Sequence, residues 1–157
     1  MRSTWLIIAV AIAAIPSAHA ASKRLGTWQV DVSASNWGTD PAPQSMTLTV
    51  YEDTPERFGY RVHRVSRDGS SDDFEWRGTK DGKPYPVHSS DTSSQGGSAA
   101  NKEVGGVLVE HGIEADGELE DATLSLAQDG RVMILDVIWT NFDKTLNREK
   151  WVWRKKE

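Results

Sequence analysis

Three of the four histidines, a serine-rich stretch, a run of carboxylates and a dense set of tryptophans are the residues of this chain with chemistry to offer. His63, His88 and His111 stand 25 and 23 positions apart. Zinc and copper need several ligands converging, commonly at short spacing on a strand or turn. Arg61 and Arg64 flank His63 with charge that opposes a cation, so no metal site is expected. His88, Ser89, Ser90 and Asp91 have the residue types of a hydrolytic triad. Triad members meet in space, however, and an adjacent His-Ser pair seldom points both side chains one way. The Gly-x-Ser-x-Gly elbow of a serine hydrolase is missing from the sequence. Carboxylates crowd Glu114 to Asp121, with Glu118 and Glu120 on one face of a strand. Such a pair can hydrolyse glycosides or bind calcium. Here it flanks the Asp116-Gly117 turn, where charge is ordinarily solvated, and the alternating oxygen ligands of a calcium loop are absent. With no nucleophile–base pair and no ligand set to name, the sequence points to a non-catalytic protein that needs no cofactor.

The aromatic residues are more informative. Trp28, Trp37, Trp76, Trp139, Trp151 and Trp153 all lie beyond the first twenty residues. Tryptophan brings a large apolar area and one N–H donor, and it can fill a core, plug one end of it or line a cavity. Trp28 reads as a core plug. Phe58, Tyr60, Trp76, Trp151 and Trp153 are placed by strand parity to share one inner face, and these five are the candidate ligand-binding residues. Packing is the competing role for the same stripe. Arg57, Arg61, Arg64 and Arg67 lie near one strand and are read as a solvated face.

The elements that position these residues are strands. Apolar residues alternate at Trp28-Val30-Val32, Met46-Leu48-Val50, Phe58-Tyr60-Val62, Phe74-Trp76 and Ala122-Leu124-Leu126. Val107, Val109, His111 and Ile113 share another parity. Four Asp-Gly pairs, at 68–69, 81–82, 116–117 and 129–130, signal hairpins with type I′ turns. The pattern predicts nine strands, over 26–33, 45–52, 57–66, 71–78, 98–104, 107–114, 118–127, 131–140 and 146–155, with loops at 35–44 and 84–100. Consecutive hairpins give antiparallel neighbours, and closure removes exposed edges. The predicted fold is an all-β, antiparallel up-and-down β-barrel of about 8–10 strands, in one domain over residues 21–157.

Residues 1–20 read as an export signal. Met1-Arg2 is followed by eleven apolar residues, Trp5 to Ile15, then Pro16 and Ala18-His19-Ala20. The run is shorter than the ~20 residues that cross a bilayer, and small-x-small marks cleavage, here between Ala20 and Ala21. A periplasmic or extracellular location is expected. The chain has no cysteine and a formal net charge of −5, which becomes −6 once Arg2 is removed. That balance argues against nucleic acid as a partner and against docking on anionic lipid.

Gly26-Thr27-Trp28 on the first strand resembles the opening of lipocalins and other calycin barrels, in which the tryptophan packs across the barrel bottom. Ser35-x-Trp37, Pro41-Ala42-Pro43-Gln44-Ser45, the central Asp81-Gly82-Lys83-Pro84-Tyr85-Pro86 and the Asp129-Gly130-Arg131 hairpin resemble a set of small secreted bacterial proteins of this lipocalin-like type, of unassigned function. Val87-His88-Ser89 departs from the small residue, threonine and glycine that usually follow the Tyr-Pro. The resemblance implies a lipocalin-like barrel binding a small apolar ligand. A filled barrel acting on a protein partner through loops 35–44 and 84–100, as an inhibitor would, is the alternative. Carbohydrate binding through an exposed Trp37 is the third.

Overall fold

The computed structural model describes residues 22–90 and 96–157; the proposed leader, the cleavage point and Asp91 lie outside them. Ten strands follow one another: β1 (Gly26–Val30), β2 (Ser45–Asp53), β3 (Arg57–Val65), β4 (Ser71–Thr79), β5 (Asp81–Ser89), β6 (Ser98–Val104), β7 (Val107–Ile113), β8 (Leu119–Leu126), β9 (Val132–Thr140) and β10 (Leu146–Lys155). Each pairs antiparallel with its sequence neighbours, and β1 pairs with β10 to close an up-and-down barrel. Among the described residues no helix is long and apolar enough to cross a membrane.

The sequence pattern missed β5. Pro84 and Pro86 read as a loop because proline donates no ladder hydrogen bond. Both lie where β5 pairs with β6, at Pro84↔Ala100 and Pro86↔Ser98, while β4 meets β5 only at Phe74↔Ser89, Glu75↔His88 and Trp76↔Val87. The missing donors thus fall where one neighbour has let go, so residues 84–89 belong to a strand and not to a loop.

The hairpins also differ from the type I′ expectation. Gly69, Gly82, Gly117 and Gly130 have φ of 86°, 76°, 95° and 71°, but no aspartate before them has positive φ. At three of these turns the glycine N–H closes back on a carbonyl three residues earlier, from Ser66, Glu114 and Ala127. The preceding aspartate then accepts a hydrogen bond from the backbone N–H two residues on, as Ser70 to Asp68 at 2.9 Å, Glu118 to Asp116 at 3.1 Å and Arg131 to Asp129 at 2.9 Å. These are Asp-stabilised turns with a left-handed fourth residue. The β9–β10 turn repeats the device at Asp143, with Lys144 (φ 67°) in the left-handed place.

One end of the barrel is filled. Trp28, Trp76, Trp153, Phe58 and Met133 are at most 2% exposed. Trp28 donates its Nε1 to the Arg24 carbonyl at 2.9 Å, and Lys155 Nζ lies 5.1 Å from its ring centre, so the plug expected of this residue is in place. A β-bulge between Val50 and Glu52 exchanges the faces of β2. Asp53 is turned inward in place of Glu52, which stays outside with Arg57 and Arg77 at 2.9 and 2.7 Å. Arg24 and Lys80 clamp Asp53 at 2.7 and 2.6 Å and also reach Glu103 at 2.9 and 2.6 Å. Ser22 donates to the same Asp53 carboxylate. Burial alone would raise Asp53 and Glu103, but the hydrogen bonds from Arg24 and Lys80 outweigh it and hold both carboxyls below their ordinary values. Two cations and two anions close this end with their charges matched.

Candidate ligand-binding site

The other half of the barrel is hollow. Eight strands leave an interior just wide enough for side chains or one small ligand, and ten leave more. A cavity of about 1320 Å³ runs from the filled end to the mouth, where the 31–44 segment and the β3–β4, β7–β8 and β9–β10 turns open it to solvent. Met46, Leu48, Val62, Leu108, Leu124 and Leu135 supply apolar wall.

Four of the five expected site residues, Phe58, Tyr60, Trp151 and Trp153, line this cavity. Trp76 stands behind the wall, fully buried, with Nε1 donating to the Ala99 carbonyl at 3.0 Å. The five do not form one stripe. Phe58, Tyr60 and Trp76 pack together with centroids 5.7–6.5 Å apart, and Tyr85 meets Trp76 edge-on at 6.1 Å. Trp151 and Trp153 form a second group with Trp37, which stacks on Trp151 at 5.6 Å and 30°. Trp37 is half-buried, so the open aromatic platform imagined for a sugar is already covered on one side. The 31–44 segment is anchored at the mouth: Asn147 Oδ1 accepts from Thr39 N at 3.0 Å. A Cβ on Gly38 (φ 58°) would overlap that same amide, which leaves the position to glycine.

Three carboxylates stand inside the lumen where parity made them hard to foresee. On β7 the inward row is Leu108, Glu110 and Gly112; Val107, Val109, His111 and Ile113 point outward, against the apolar reading of that strand. Glu120 follows Ala122 and Leu124 on the inner face of β8, and Glu149 precedes Trp151 and Trp153 on that of β10. Gly112 pairs with Glu120 and makes room for it, since a Cβ there would meet the glutamate side chain at 3.1 Å. Glu110 accepts from Asn101 Nδ2 at 2.5 Å and from the Tyr60 hydroxyl at 3.5 Å. Glu149 accepts from Trp151 Nε1 at 2.7 Å and Asn147 Nδ2 at 3.1 Å. No lysine, arginine or histidine among the described residues forms an ion pair with any of the three.

Burial raises all three carboxyls. Glu120 is pushed well above the ordinary carboxylate range, first by burial and then by repulsion from Glu110, Glu114 and Glu149. Glu110 is raised by burial against the pull of its Asn101 and Tyr60 hydrogen bonds, and Glu149 by burial against that of Trp151. Burial also lifts Tyr60 well above its usual value, and the negative field of Glu110, Glu120 and Glu114 adds to it. At the mouth, Asp68, Asp116 and Asp143 of the turns join the wall. In all, five glutamates and five aspartates line the cavity against two arginines, Arg64 and Arg67, and Arg64 is held by Asp72 at 2.9 Å.

The remaining candidates lie outside the barrel. His63 and His111 are on the outer face, 3.0 Å from Asp73 and 2.5 Å from Asp121. His88 is exposed, whereas Ser89 turns into the cavity, so adjacent strand residues face opposite ways. Arg61 pairs with Glu75 at 2.7 Å on the outer surface. Among the described residues, no three His, Cys, Asp or Glu side chains are grouped to hold a metal ion.

Solved structures of the same shape exist at low sequence identity. The fluorescent protein UnaG, wild type, superposes with a TM-score of 0.58 at 16% identity, over 85% of this chain and 98% of its own. The fold is calycin-like. A redesigned β-barrel, b11L5F_LGL, matches at TM-score 0.54 and 9% identity over 86% of this chain and 93% of its own. EF1p2_mFAP2b, solved bound to DFHBI, matches at TM-score 0.50 and 9% identity, covering 85% and 94%. No protein-family model matches the sequence, and no curated protein matches it.

Proposed function

We propose that this protein is an exported, non-catalytic barrel that binds one small, largely apolar organic molecule in its lumen. The cavity carries the reading: about 1320 Å³ of space, sealed at one end by buried tryptophans, open at the other, with aromatic and aliphatic wall between. Ligand sites are characteristically concave, with an apolar wall and polar groups that orient the ligand; this lumen is concave, and its aromatic and aliphatic wall faces a strongly acidic set of polar groups. The likeness to a barrel solved with DFHBI bound is in keeping with it. A filled barrel acting only through its loops has no use for such a space. The leader-like residues 1–20 support release from the cytoplasm.

Native mass spectrometry of the protein purified from its producing cells tests the reading. A reproducible added mass that disappears after organic extraction is expected. A clean ligand-free mass that no small organic probe shifts would overturn it.

A further inference from the structure

The polar part of the lumen is one-sided, and that asymmetry identifies the ligand's class more closely. Glu110, Glu120 and Glu149 come from three different strands, and among the described residues no lysine, arginine or histidine forms an ion pair with them. The barrel's own builders solve the same problem at the filled end, where Arg24 and Lys80 neutralise Asp53 and Glu103. A second observation concerns the amide beside them. Asn101 is fully buried and lines the cavity, and its Oδ1 has no hydrogen-bond partner. Its amide orientation is set by Glu110, which takes the Nδ2 donor, so the oxygen is an acceptor left waiting for a donor. Buried polar groups without partners are rare in native proteins and costly. Trp153 Nε1, also buried and without a hydrogen-bond partner at the wall, is a donor left unused.

Resting on the binding reading above, we propose that the ligand is an amphiphilic organic cation. Its protonated amine or amidinium sits among Glu110, Glu120 and Glu149, within reach of Asn101. Its flat apolar body lies along Trp151, Trp153 and Leu124, with one acceptor atom for Trp153. An anionic amphiphile such as a fatty acid supplies no charge that offsets the three glutamates if they ionise, and a neutral one without a donor leaves the Asn101 oxygen unmatched. The aspartates of the mouth add a negative funnel that raises the local concentration of cations.

The inference rests on geometry, and proton linkage gives it a second readout. The charged and titratable groups that share the cavity with the three glutamates are Tyr60 and Arg64 from β3, Arg67 and Asp68 from the β3–β4 turn, Asp72 from β4, Glu114, Asp116 and Glu118 from the β7–β8 turn, Asp143 from the β9–β10 turn and Asp40 from the 31–44 segment. His111 and Asp121 act on Glu110 and Glu120 through the wall. Arg64, already committed to Asp72, and Arg67 at the mouth are the permanent cations among them. Burial favours the protonated form of these three carboxyls, so an incoming cation is expected to release protons.

Isothermal titration of the purified protein with a matched set decides the matter: 2-(2-naphthyl)ethylammonium, 2-(2-naphthyl)ethanol and 2-naphthylacetate at neutral pH. The ammonium is expected to bind at least ten-fold tighter than the alcohol and a hundred-fold tighter than the carboxylate. Its apparent enthalpy should vary between buffers of different ionisation enthalpy in the sense of proton release. In the Glu110→Gln/Glu120→Gln/Glu149→Gln variant the ammonium should lose its advantage while the alcohol still binds, which shows the barrel intact. Alcohol or carboxylate binding as tightly as the ammonium would overturn the inference and leave the binding barrel standing. Binding of none of the three would overturn both.

Discussion

The two ends of this barrel bury charge in opposite ways. At the filled end, Arg24, Lys80, Asp53 and Glu103 form a closed set of ion pairs at 2.6–2.9 Å. In the lumen, Glu110, Glu120 and Glu149 are buried together with hydrogen-bond donors but no counter-charge. A balanced buried network can be kept for structure alone. An unbalanced one weakens the empty protein, because each ionised carboxylate is poorly solvated and repels the next. Such a cost is tolerated where something else is to supply the missing charge.

The largest test of this contrast removes the hub of the balanced end. Asp53→Ala leaves Arg24 and Lys80 with Glu103 alone between them, and the buried charge left uncompensated costs about 3–5 kcal/mol. Urea unfolding at pH 7 should show a loss of that size. The lumen should answer in the opposite direction. Glu120→Gln removes a carboxyl that burial and its neighbours already disfavour as an anion, so the ligand-free variant should be more stable at neutral pH by on the order of 1 kcal/mol. A destabilised Glu120→Gln would mean that the lumen carboxylates hold structure as the filled end does.

The pH dependence separates the two ends within one protein. Asp53 and Glu103 are lowered, so their stabilisation is present above the unfolded carboxylate values and is lost as pH falls through their folded values. Glu110, Glu120 and Glu149 are raised, so theirs is full below the unfolded values and is lost as pH rises through the folded ones. Ligand-free stability should therefore peak near roughly pH 4–5 and decline on both sides. The triple glutamine variant should lose the decline on the alkaline side only. A curve that keeps rising to pH 7 would sink the contrast.

Smaller effects sharpen it. Trp37→Ala removes the ring stacked on Trp151, an aromatic contact worth about 0.5–1.5 kcal/mol beyond its area, and loosens the mouth without touching either charge set. A change in thermal midpoint with an unaltered pH profile is expected. Arg61→Ala on the outer face, where the side chain is 61% exposed, should leave the urea midpoint unchanged, since exposed ion pairs contribute little.

The barrel was legible because parity is a two-residue signal. Trp28-Val30, Met46-Leu48-Val50, Phe58-Tyr60-Val62 and Ala122-Leu124 announce their inner faces directly, and the aspartate-glycine turns punctuate them. Two kinds of feature escaped. Pro84 and Pro86 hid β5, since the place where they are harmless depends on a neighbour's register. The lumen glutamates hid because a carboxylate in an alternating pattern reads as solvent-facing. The trace was present for Glu149, which shares parity with Trp151 and Trp153, and for Glu120, which shares it with Ala122 and Leu124. On β7 the pattern pointed the wrong way: the outer row carries the valines and Ile113, which is half exposed, and the inner row carries the charge. Periodicity finds the two faces of a strand; which one is inside depends on what the inside is for. The bulge at Val50 and Glu52 is a third instance, for it moves the inward acid from Glu52 to Asp53 at a site no periodicity marks.

The filled end is also where the chain's described extremities meet. Ser22 and Arg24 are bound to Asp53, and Lys155 Nζ donates to the Lys23 carbonyl at 2.8 Å. Residues 22–24 and Lys155 are thus moored on the side away from the mouth. A leader still attached, a fusion partner or a bead coupled at either end would hold the barrel upright like a cup by its base, with the opening clear for loading.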